Sequence, residues 1–408
     1  MVWLYFTLDS EIIKGLFSAS AKENAIAKLL ESILNQVLEA QVTEAIGAKP
    51  YERTEERTCY RNGSRVRQIK TRVGTLELLV PRVRGGEFSP DLFNRYQRNE
   101  QAFVLAMMEM VIQGVSTRKV TKITEELCGT SFSKSTVSNL CSNLDPLVDE
   151  FRNRPLESQY PFIVVDAMYL KSRDAGKVRS KALMIAIGVR SDGIREILGF
   201  MCGDSETELG WRNFFSSLKD RGLSNVDIVV SDSHKGLKSA ILKEFQGSSW
   251  QRCQTHFSRN ILDVCPTRLQ PEIKNRLREL YDAPTTEVAR TVLNDILDEY
   301  SNTAPKAMEL LDAGFDDITQ VLNIPIKYRK RLRTSNIIER LNQEIRRRER
   351  VIRIFPNDES MNRLIGAILI DLDEKWSSGR IWLDMHEYHE SKQDQAELQQ
   401  VEPTKVVA

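Results

Sequence analysis

The chain has 408 residues, 41% of them hydrophobic and 28% charged. This composition is that of a soluble globular protein with two or three domains, and it excludes a disordered or fibrous chain. No apolar stretch reaches the roughly 18 residues of a membrane span, and the opening MVWLYFTLDS lacks a basic leader, so we predict a cytoplasmic protein with no membrane contact.

The formal net charge of +1 conceals a segregation of charges along the chain. Residues 53–98 hold 11 basic and 5 acidic side chains, and residues 327–353 hold 11 and 3, whereas residues 358–402 hold 4 and 11. The two basic blocks could neutralise nucleic-acid phosphates. Solvated helix and strand faces would have the same composition, so this reading stays open.

The N-terminal third of the sequence predicts a helix followed by a small β module. Apolar residues recur at helical spacing over 20–46 and stop at Gly47, so residues 1–50 form a helical region that could support dimerisation. The pair Asn62-Gly63 predicts a turn between two β runs, of which Thr71 to Val80 is the clearer. Residues 51–99 are therefore a small basic β module.

The next segment, residues 100–155, has the pattern of a helix-turn-helix. One helix is predicted around Val120 to Leu127, a turn at Gly129, and a second helix capped by Ser133. Any helical hairpin with a capped second helix shares this pattern. If it binds DNA, the second helix presents four polar side chains to a groove, namely Lys134, Ser135, Thr136 and Asn139.

Residues 156–256 predict an α/β sheet. The β-branched run after Pro161 indicates a buried strand that ends on Asp166, and a second run over 228–230 ends on Ser231 and Asp232. Between them lie two further strands joined by a turn at 191–193, and a helix around Trp211. This βββαβ order indicates a sheet with its acids at one edge. Each Asp alone could equally be a turn residue or a helix cap.

After the sheet, the periodicity is helical from Pro266 to Leu322, with breaks expected at Pro284, Pro305 and Gly314. Residues 257–326 are therefore predicted to be a helical insertion domain. Residues 327–385 would then return to the α/β core as its closing helices.

A third acid, Glu339, lies on an arginine-rich helix in this closing segment. Asn336 and Glu339 have the spacing of a capping box, which is a purely structural reason for the Glu. The apolar residues around it define a buried stripe that leaves Glu339 on a neighbouring face with Asn342 and Arg346. Three convergent carboxylates can hold Mg²⁺, and paired ions can promote in-line phosphoryl displacement, so DNA-strand chemistry is the leading hypothesis.

Ordered sequence blocks show that the chain resembles bacterial insertion-sequence transposases of the Mutator-like DDE class. The blocks span about residues 20–385 and read YRNG, TRVGTLELLVPRVR, RYQR, GVSTRKV, DAMYLK, SDSHKGL, CQTHFSRN and RIFPN. The resemblance implies a ribonuclease H-like catalytic core interrupted by the helical insertion. It implies that Asp166, Asp232 and Glu339 are the catalytic and metal-binding triad, with Mg²⁺ as cofactor and Mn²⁺ as a substitute. The acidic tail, residues 386–408, is less typical of the family.

The resemblance further implies the partners and the reaction. The protein would bind terminal inverted repeats and target DNA, cleave and transfer strands, and copy the element out through a circular intermediate. Independently of the resemblance, bringing two element ends together favours a homodimer. The DNA near the metals would be held by Arg333, Arg346, Arg347 and Arg348. The alternatives are a non-catalytic DNA-binding regulator derived from a transposase, and a structure-selective nuclease with the same fold.

The family pattern also includes Cys253 and His256 in a C-x-x-H arrangement. A structural zinc site needs four ligands, and this pair supplies two. We therefore expect Cys253 and His256 to support the site by packing or hydrogen bonding.

Overall fold

The computed structural model describes residues 7, 10, 13–14, 22–52, 54, 57–71, 73–85, 88, 90, 100–128, 132–156, 159–379 and 381–401. The chain divides into two compact units, Met1–Asn143 and Leu144–Ala408. No helix among these residues is long and apolar enough to cross a membrane.

The first unit begins with a helix packed on a two-stranded antiparallel hairpin. Its elements are α1 (Lys22–Ile46), β1 (Tyr60–Thr71) and β2 (Gly74–Arg84). Alternate residues of β2, including Leu76 and Leu78, are buried against α1 because successive strand side chains point to opposite faces. The predicted turn at Asn62-Gly63 is wrong. Both residues lie within β1, where the register shifts. Gly63 has a positive φ, which suits a bulge as well as a turn, so the sequence signal does not distinguish the two.

The described part of the first unit contains three further helices, namely α2 (Gln101–Ile112), α3 (Thr117–Cys128) and α4 (Lys134–Cys141). Their apolar faces meet in a cluster that includes Phe103, Val120 and Val137. Ser133 caps α4 as predicted, since its side chain accepts a hydrogen bond from the backbone N–H of Thr136. The predicted turn residue Gly129 lies outside the described residues.

The second unit is built on a mixed five-stranded sheet in the order β5-β4-β3-β6-β7. The strands are β3 (Phe162–Asp174), β4 (Lys177–Val189), β5 (Arg195–Gly203), β6 (Ile228–Ser231) and β7 (Ser249–Arg252). Strands β3, β4 and β5 are antiparallel neighbours, whereas β3–β6 and β6–β7 are parallel. Helices α6 (Glu208–Asp220) and α7 (Lys235–Glu244) connect the later strands and bury Trp211 and Phe215 in the sheet's core.

The end predicted for the first strand of this sheet is wrong. Asp166 lies within β3, which continues to Asp174, and Asp166 pairs with Ile185 of β4. Beyond Asp166 the strand alternates buried and exposed residues, because it pairs with β4 along its whole length. From the sequence alone, the polar residues after Asp166 indicate the end of the strand. In the structure most of them are residues of β3 whose side chains point to its exposed face.

The chain between β7 and residue 325 is helical, as predicted. It contains α8 (Gln254–Val264), α9 (Gln270–Tyr281), α10 (Thr286–Tyr300), α11 (Pro305–Thr319) and the 3₁₀ turns Thr267–Leu269 and Gln320–Asn323. The break predicted at Gly314 is wrong, because α11 runs through it. A Cβ at Gly314 would lie 2.4 Å from the Phe257 ring, so the glycine serves close packing of α8 on α11.

Four further helices close the second unit, α12 (Ile326–Leu332), α13 (Asn336–Glu349), α14 (Asp358–Ser377) and α15 (His386–Val401). After α13 the chain returns to β3, where the N–H of Arg173 donates to the carbonyl of Phe355. Helix α14 packs on α5 (Asp145–Asn153), and Arg363 forms two hydrogen bonds to the Asp145 carboxylate.

Candidate active site

Asp166 lies on β3, and Asp232 directly follows the neighbouring parallel strand β6. The register that pairs Val164 with Val230 brings Asp166 level with Asp232, just beyond the end of β6. Burial raises the pKa of Asp166 to about 7, and the negative charge of Asp232 adds to this effect. The two carboxylates therefore repel each other in a partly desolvated position.

Asp166 is also held by the arginine-rich helix. Its Oδ1 accepts a hydrogen bond from the N–H of Ala167, and its Oδ2 accepts one from Nδ2 of Asn342, both over 2.9 Å. The amide oxygen of Asn342 is buried and has no hydrogen-bond partner within the described part of the chain. Helix α13 thus contributes, on the side chain that contacts Asp166, a buried amide oxygen that is available as an acceptor.

The segment that carries Asp232 is fixed by a short chain of hydrogen bonds. The indole N–H of Trp250 donates to Oγ of Ser231 over 2.8 Å, and the Ser231 hydroxyl donates to the carbonyl of Asp232 over 2.7 Å. The Asp232 Oδ1 accepts from the backbone N–H of His234 over 3.2 Å. Hydrogen bonds therefore fix the orientations of both Asp166 and Asp232.

Glu339 lies in the first turn of α13, one turn before Asn342. Its Oε1 accepts a hydrogen bond from Oγ of Ser335 over 3.2 Å and lies 3.8 Å from Nε2 of His256. The predicted capping box with Asn336 is wrong. Asn336 is the first helical residue, Ser335 occupies the cap position, and no side chain caps the helix.

The imidazole of His256 links the acids electrostatically. The pKa of His256 is raised, chiefly by its interaction with the Cys253 sulfur and also by the charges of Glu339 and Asp166. The charges of Glu339 and Asp166 both raise the pKa of His256, and Asn342, on the helix of Glu339, contacts Asp166. Asp232 in turn raises the pKa of Asp166. The structure therefore brings Asp166, Asp232 and Glu339 into one region.

Cys253 lies directly behind this region and is fully buried. Its sulfur accepts hydrogen bonds from the N–H of Ser335 over 3.4 Å and from the Ser335 hydroxyl over 3.3 Å. Burial acts to raise the pKa of the Cys253 thiol, but interactions with His256 and Ser335 outweigh it and lower the pKa. One ligand atom from each of Cys253, His256 and Glu339 lies within 4.8 Å of the others.

A cavity of about 400 Å³ opens beside Glu339. It is lined by His256, Arg259, Glu339, Asn342, Gln343, Arg346, Arg347 and Arg350. Its cationic wall next to a carboxylate site has the chemistry of a surface that binds phosphates.

Comparison with known proteins finds matches over more than nine-tenths of the chain. The model of the family described as transposase, Mutator family, matches residues 3–379. The chain belongs to this family of transposases. It is 48% identical over 379 residues to the transposase for insertion sequence element IS256 in transposon Tn4001 from Staphylococcus aureus, covering 92% of this chain and 97% of that protein.

Two further relatives of this Mutator-family transposase cover similar lengths. The transposase for insertion sequence element ISRM5 from Rhizobium meliloti is 41% identical over 369 residues, which are 90% of this chain and 93% of that protein. The transposase for insertion sequence element IS1081 from Mycobacterium tuberculosis is 36% identical over 380 residues, 93% of this chain and 92% of that protein.

The arginines predicted to hold DNA in this Mutator-family chain occupy different environments. Arg346 and Arg347 are exposed and line the cavity. Arg333 extends to Asp282, with Nη1 and Oδ1 2.6 Å apart. The side chain of Arg348 is 3% exposed and pairs with Asp371 over 3.1 Å, so it lies in the protein interior. In the first unit, Lys134, Ser135 and Asn139 are exposed on α4, and Thr136 is half-buried.

Sequence reasoning missed an acid in this transposase, Glu206. It precedes α6, and its side chain is 10% exposed. Its Oε1 accepts from the indole N–H of Trp211 over 3.3 Å and lies 3.4 Å from Nδ1 of His234. Burial and the nearby Asp232 raise the pKa of Glu206. An acid just before a helix is an ordinary feature in sequence, so only the fold reveals its position beside Asp232.

Proposed function

We propose that this chain is an insertion-sequence transposase that binds terminal inverted repeats and catalyses metal-dependent DNA cleavage and strand transfer. The observation that carries the proposal is the contact between Asn342 and Asp166. It ties the helix of Glu339 to the strand that runs beside Asp232, in a chain of the Mutator family. Asp166, Asp232 and Glu339 are the catalytic residues in this proposal.

The donor set fits a hard divalent cation. Carboxylate and amide oxygens are the protein ligands that Mg²⁺ prefers. The crowded Asp166 and Asp232 carboxylates and the unpartnered Asn342 oxygen, counted within the described residues, are such donors. Asp166 and Asp232 would hold Mg²⁺ or Mn²⁺, and Glu339 would complete the set. When bound, such ions supply charge neutralisation at the phosphate and activation of the attacking oxygen.

The sheet topology supports a ribonuclease H-like core. Three antiparallel strands followed by two parallel strands, with helical crossovers and the acids on β3 and after β6, are the arrangement expected of that fold. Residues 257–326 are then a helical insertion domain, placed between the second and third acids. Residues 327–385 return the chain to the core.

The chain's own groups bind and orient the DNA. The exposed guanidinium groups of Arg346 and Arg347 would hold backbone phosphates in the cavity beside Glu339. At the carboxylates, water would attack a phosphodiester in line and displace a DNA 3′-hydroxyl as the leaving group. That 3′-hydroxyl would then attack a second phosphodiester in line and displace its 3′-oxygen, which joins the strands. The protein supplies no covalent nucleophile in this scheme.

Recognition of the repeats is assigned to the N-terminal segments. The basic β module, residues 51–99, and the helix-turn-helix region, residues 100–155, would contact the terminal inverted repeats, with α4 presenting Lys134, Ser135, Thr136 and Asn139. Pairing two element ends favours a homodimer. In this proposal the element is copied out through a circular intermediate. The protein acts in the cytoplasm.

The proposal is tested by incubating the full-length protein with a duplex that carries the element's terminal repeat. Mg²⁺-dependent nicking and strand joining are expected, with both lost in Asp166→Asn, Asp232→Asn and Glu339→Gln. Repeat binding without nicking would instead identify a DNA-binding regulator. Equal cutting of branched DNA of unrelated sequence, without joining, would identify a structure-selective nuclease.

A further inference from the structure

The two ends of the helical segment meet at the site. Where the chain passes from β7 into the helical segment, the N–H of Cys253 donates to the carbonyl of Ser231 over 2.7 Å. This bond joins Cys253 to the end of β6. Arg333 lies just after the helical segment, and its carbonyl accepts a hydrogen bond from the N–H of Gln254 over 2.9 Å. The start of α13 is therefore attached to the end of β7 by residues far apart in sequence.

Ser335 extends this attachment to Glu339. Its hydroxyl lies 3.3 Å from the Cys253 sulfur and 3.2 Å from Oε1 of Glu339, so its single proton is available to either acceptor. Its backbone N–H is directed to the same sulfur. Ser335 is 1% exposed and Cys253 is fully buried, so water does not compete for these bonds.

His256 flanks the carboxylate from another direction. It follows Cys253 by three residues, so both lie at the start of α8, and its Nε2 is 3.8 Å from Oε1 of Glu339. The Glu339 side chain is 33% exposed, which leaves it free to adopt other rotamers unless neighbours restrain it. Among the described residues, Ser335 restrains this oxygen by a hydrogen bond, and His256 lies within ion-pair distance of it.

We propose that Cys253, Ser335 and His256 are positioning residues that orient the Glu339 carboxylate toward Asp166 and Asp232. The inference rests on the proposed catalytic role of Glu339 and deepens it. Cys253 acts through Ser335, because its sulfur accepts the backbone N–H of that residue and so fixes its position, while the hydroxyl can donate its proton to Glu339. His256 acts directly on the carboxylate. This account gives the C-x-x-H pair a role that needs no ion of its own.

The buried sulfur of Cys253 is suited to fixing the position of Ser335 without binding a metal ion. A metal ion shared by Cys253, His256 and Glu339 would withdraw Glu339 from the aspartates. The Cys253 sulfur already accepts the backbone N–H of Ser335 and lies 3.3 Å from its hydroxyl oxygen. Removing partners that lie beyond the metal ligands commonly changes metal affinity or activity by about 10- to 100-fold. A loss of about 10-fold is therefore expected for each positioning residue.

The test measures Mn²⁺ binding to the full-length protein by the electron paramagnetic resonance signal of free Mn²⁺, without requiring activity. Cys253→Ala and Ser335→Ala are expected to weaken binding about 10-fold. Cys253→Ser keeps a hydrogen-bond acceptor and is expected to recover most of the affinity. Cys265→Ala removes another buried free thiol, outside the site, and is the matched control with wild-type affinity.

The outcomes separate the two proposals. If Glu339→Gln binds Mn²⁺ as tightly as wild type, the proposed metal role of Glu339 fails. If Glu339→Gln weakens binding but Ser335→Ala and His256→Gln do not, the positioning role alone is overturned. Stoichiometric zinc in the purified protein that disappears in Cys253→Ala would also overturn it, because the sulfur would then be a metal ligand. Should Cys253→Ala unfold, Ser335→Ala and His256→Gln decide the question.

Discussion

Asn342→Ala removes the side-chain hydrogen bond that joins the helix of Glu339 to the carboxylate of Asp166. The lost interaction is the 2.9 Å hydrogen bond to Asp166 Oδ2. A hydrogen bond to a charged group contributes about 1.5–3 kcal/mol. Since about 1.4 kcal/mol corresponds to a factor of ten, we expect the Mg²⁺-dependent cleavage rate to fall by about 10- to 100-fold.

The fold should survive this substitution. Alanine is a better helix former than asparagine by up to about 0.7 kcal/mol, which offsets part of the lost bond in α13. Asn294→Ala, an exposed position of α10, is the matched control for helix propensity and should cleave as wild type. Cleavage by Asn342→Ala at the wild-type rate, with unchanged Mg²⁺ dependence, would refute the link between α13 and Asp166.

Four further outcomes are expected. Gly366→Ala places a Cβ 2.3 Å from Val148, so it should lower the free energy of unfolding by about 1–3 kcal/mol in urea titrations, and adding Val148→Ala should restore part of the loss. Asp371→Asn removes the nearer charged partner of the buried Arg348 and leaves Glu344 at 4.0 Å, so it should cost about 3 kcal/mol at neutral pH. Because ion-pairing lowers the pKa of Asp371, this difference from wild type should shrink as the pH falls through that lowered value in thermal melts. Arg346→Ala should reduce the slope of log affinity against log salt by about 0.9, whereas an unchanged slope would mean that it contacts no phosphate. EDTA should abolish cleavage while repeat binding in gel shifts persists.

Local sequence patterns were sufficient to predict several elements. The apolar run before Asp166 predicted a buried strand, and Ser133 predicted a helix cap, because both signals depend on neighbours within a few residues. The helical nature of the segment after β7 followed from periodicity in the same way. Each of these features is decided mainly by the residues that display it.

Features that depend on distant partners could not be predicted. Asp166 lies mid-strand because β4 pairs beyond it, and Gly314 lies inside a helix because the Phe257 ring needs the space. The burial of Arg348 depends on Asp371, and the closeness of Glu206 to Asp232 depends on how the chain before α6 folds. None of these partners is recognisable without the three-dimensional arrangement.

The junction between Gln254 and Arg333 has a consequence for changes in chain length. The hydrogen bond from Gln254 to Arg333 joins the first residue of the helical segment to the chain just after it. The two ends of the segment are therefore already held together. The entropy of closing a loop grows only slowly with added residues. Extra residues in the turns between α9, α10 and α11 should therefore be tolerated without displacing Glu339, which leaves that segment free to diversify in size while the chemistry stays in place.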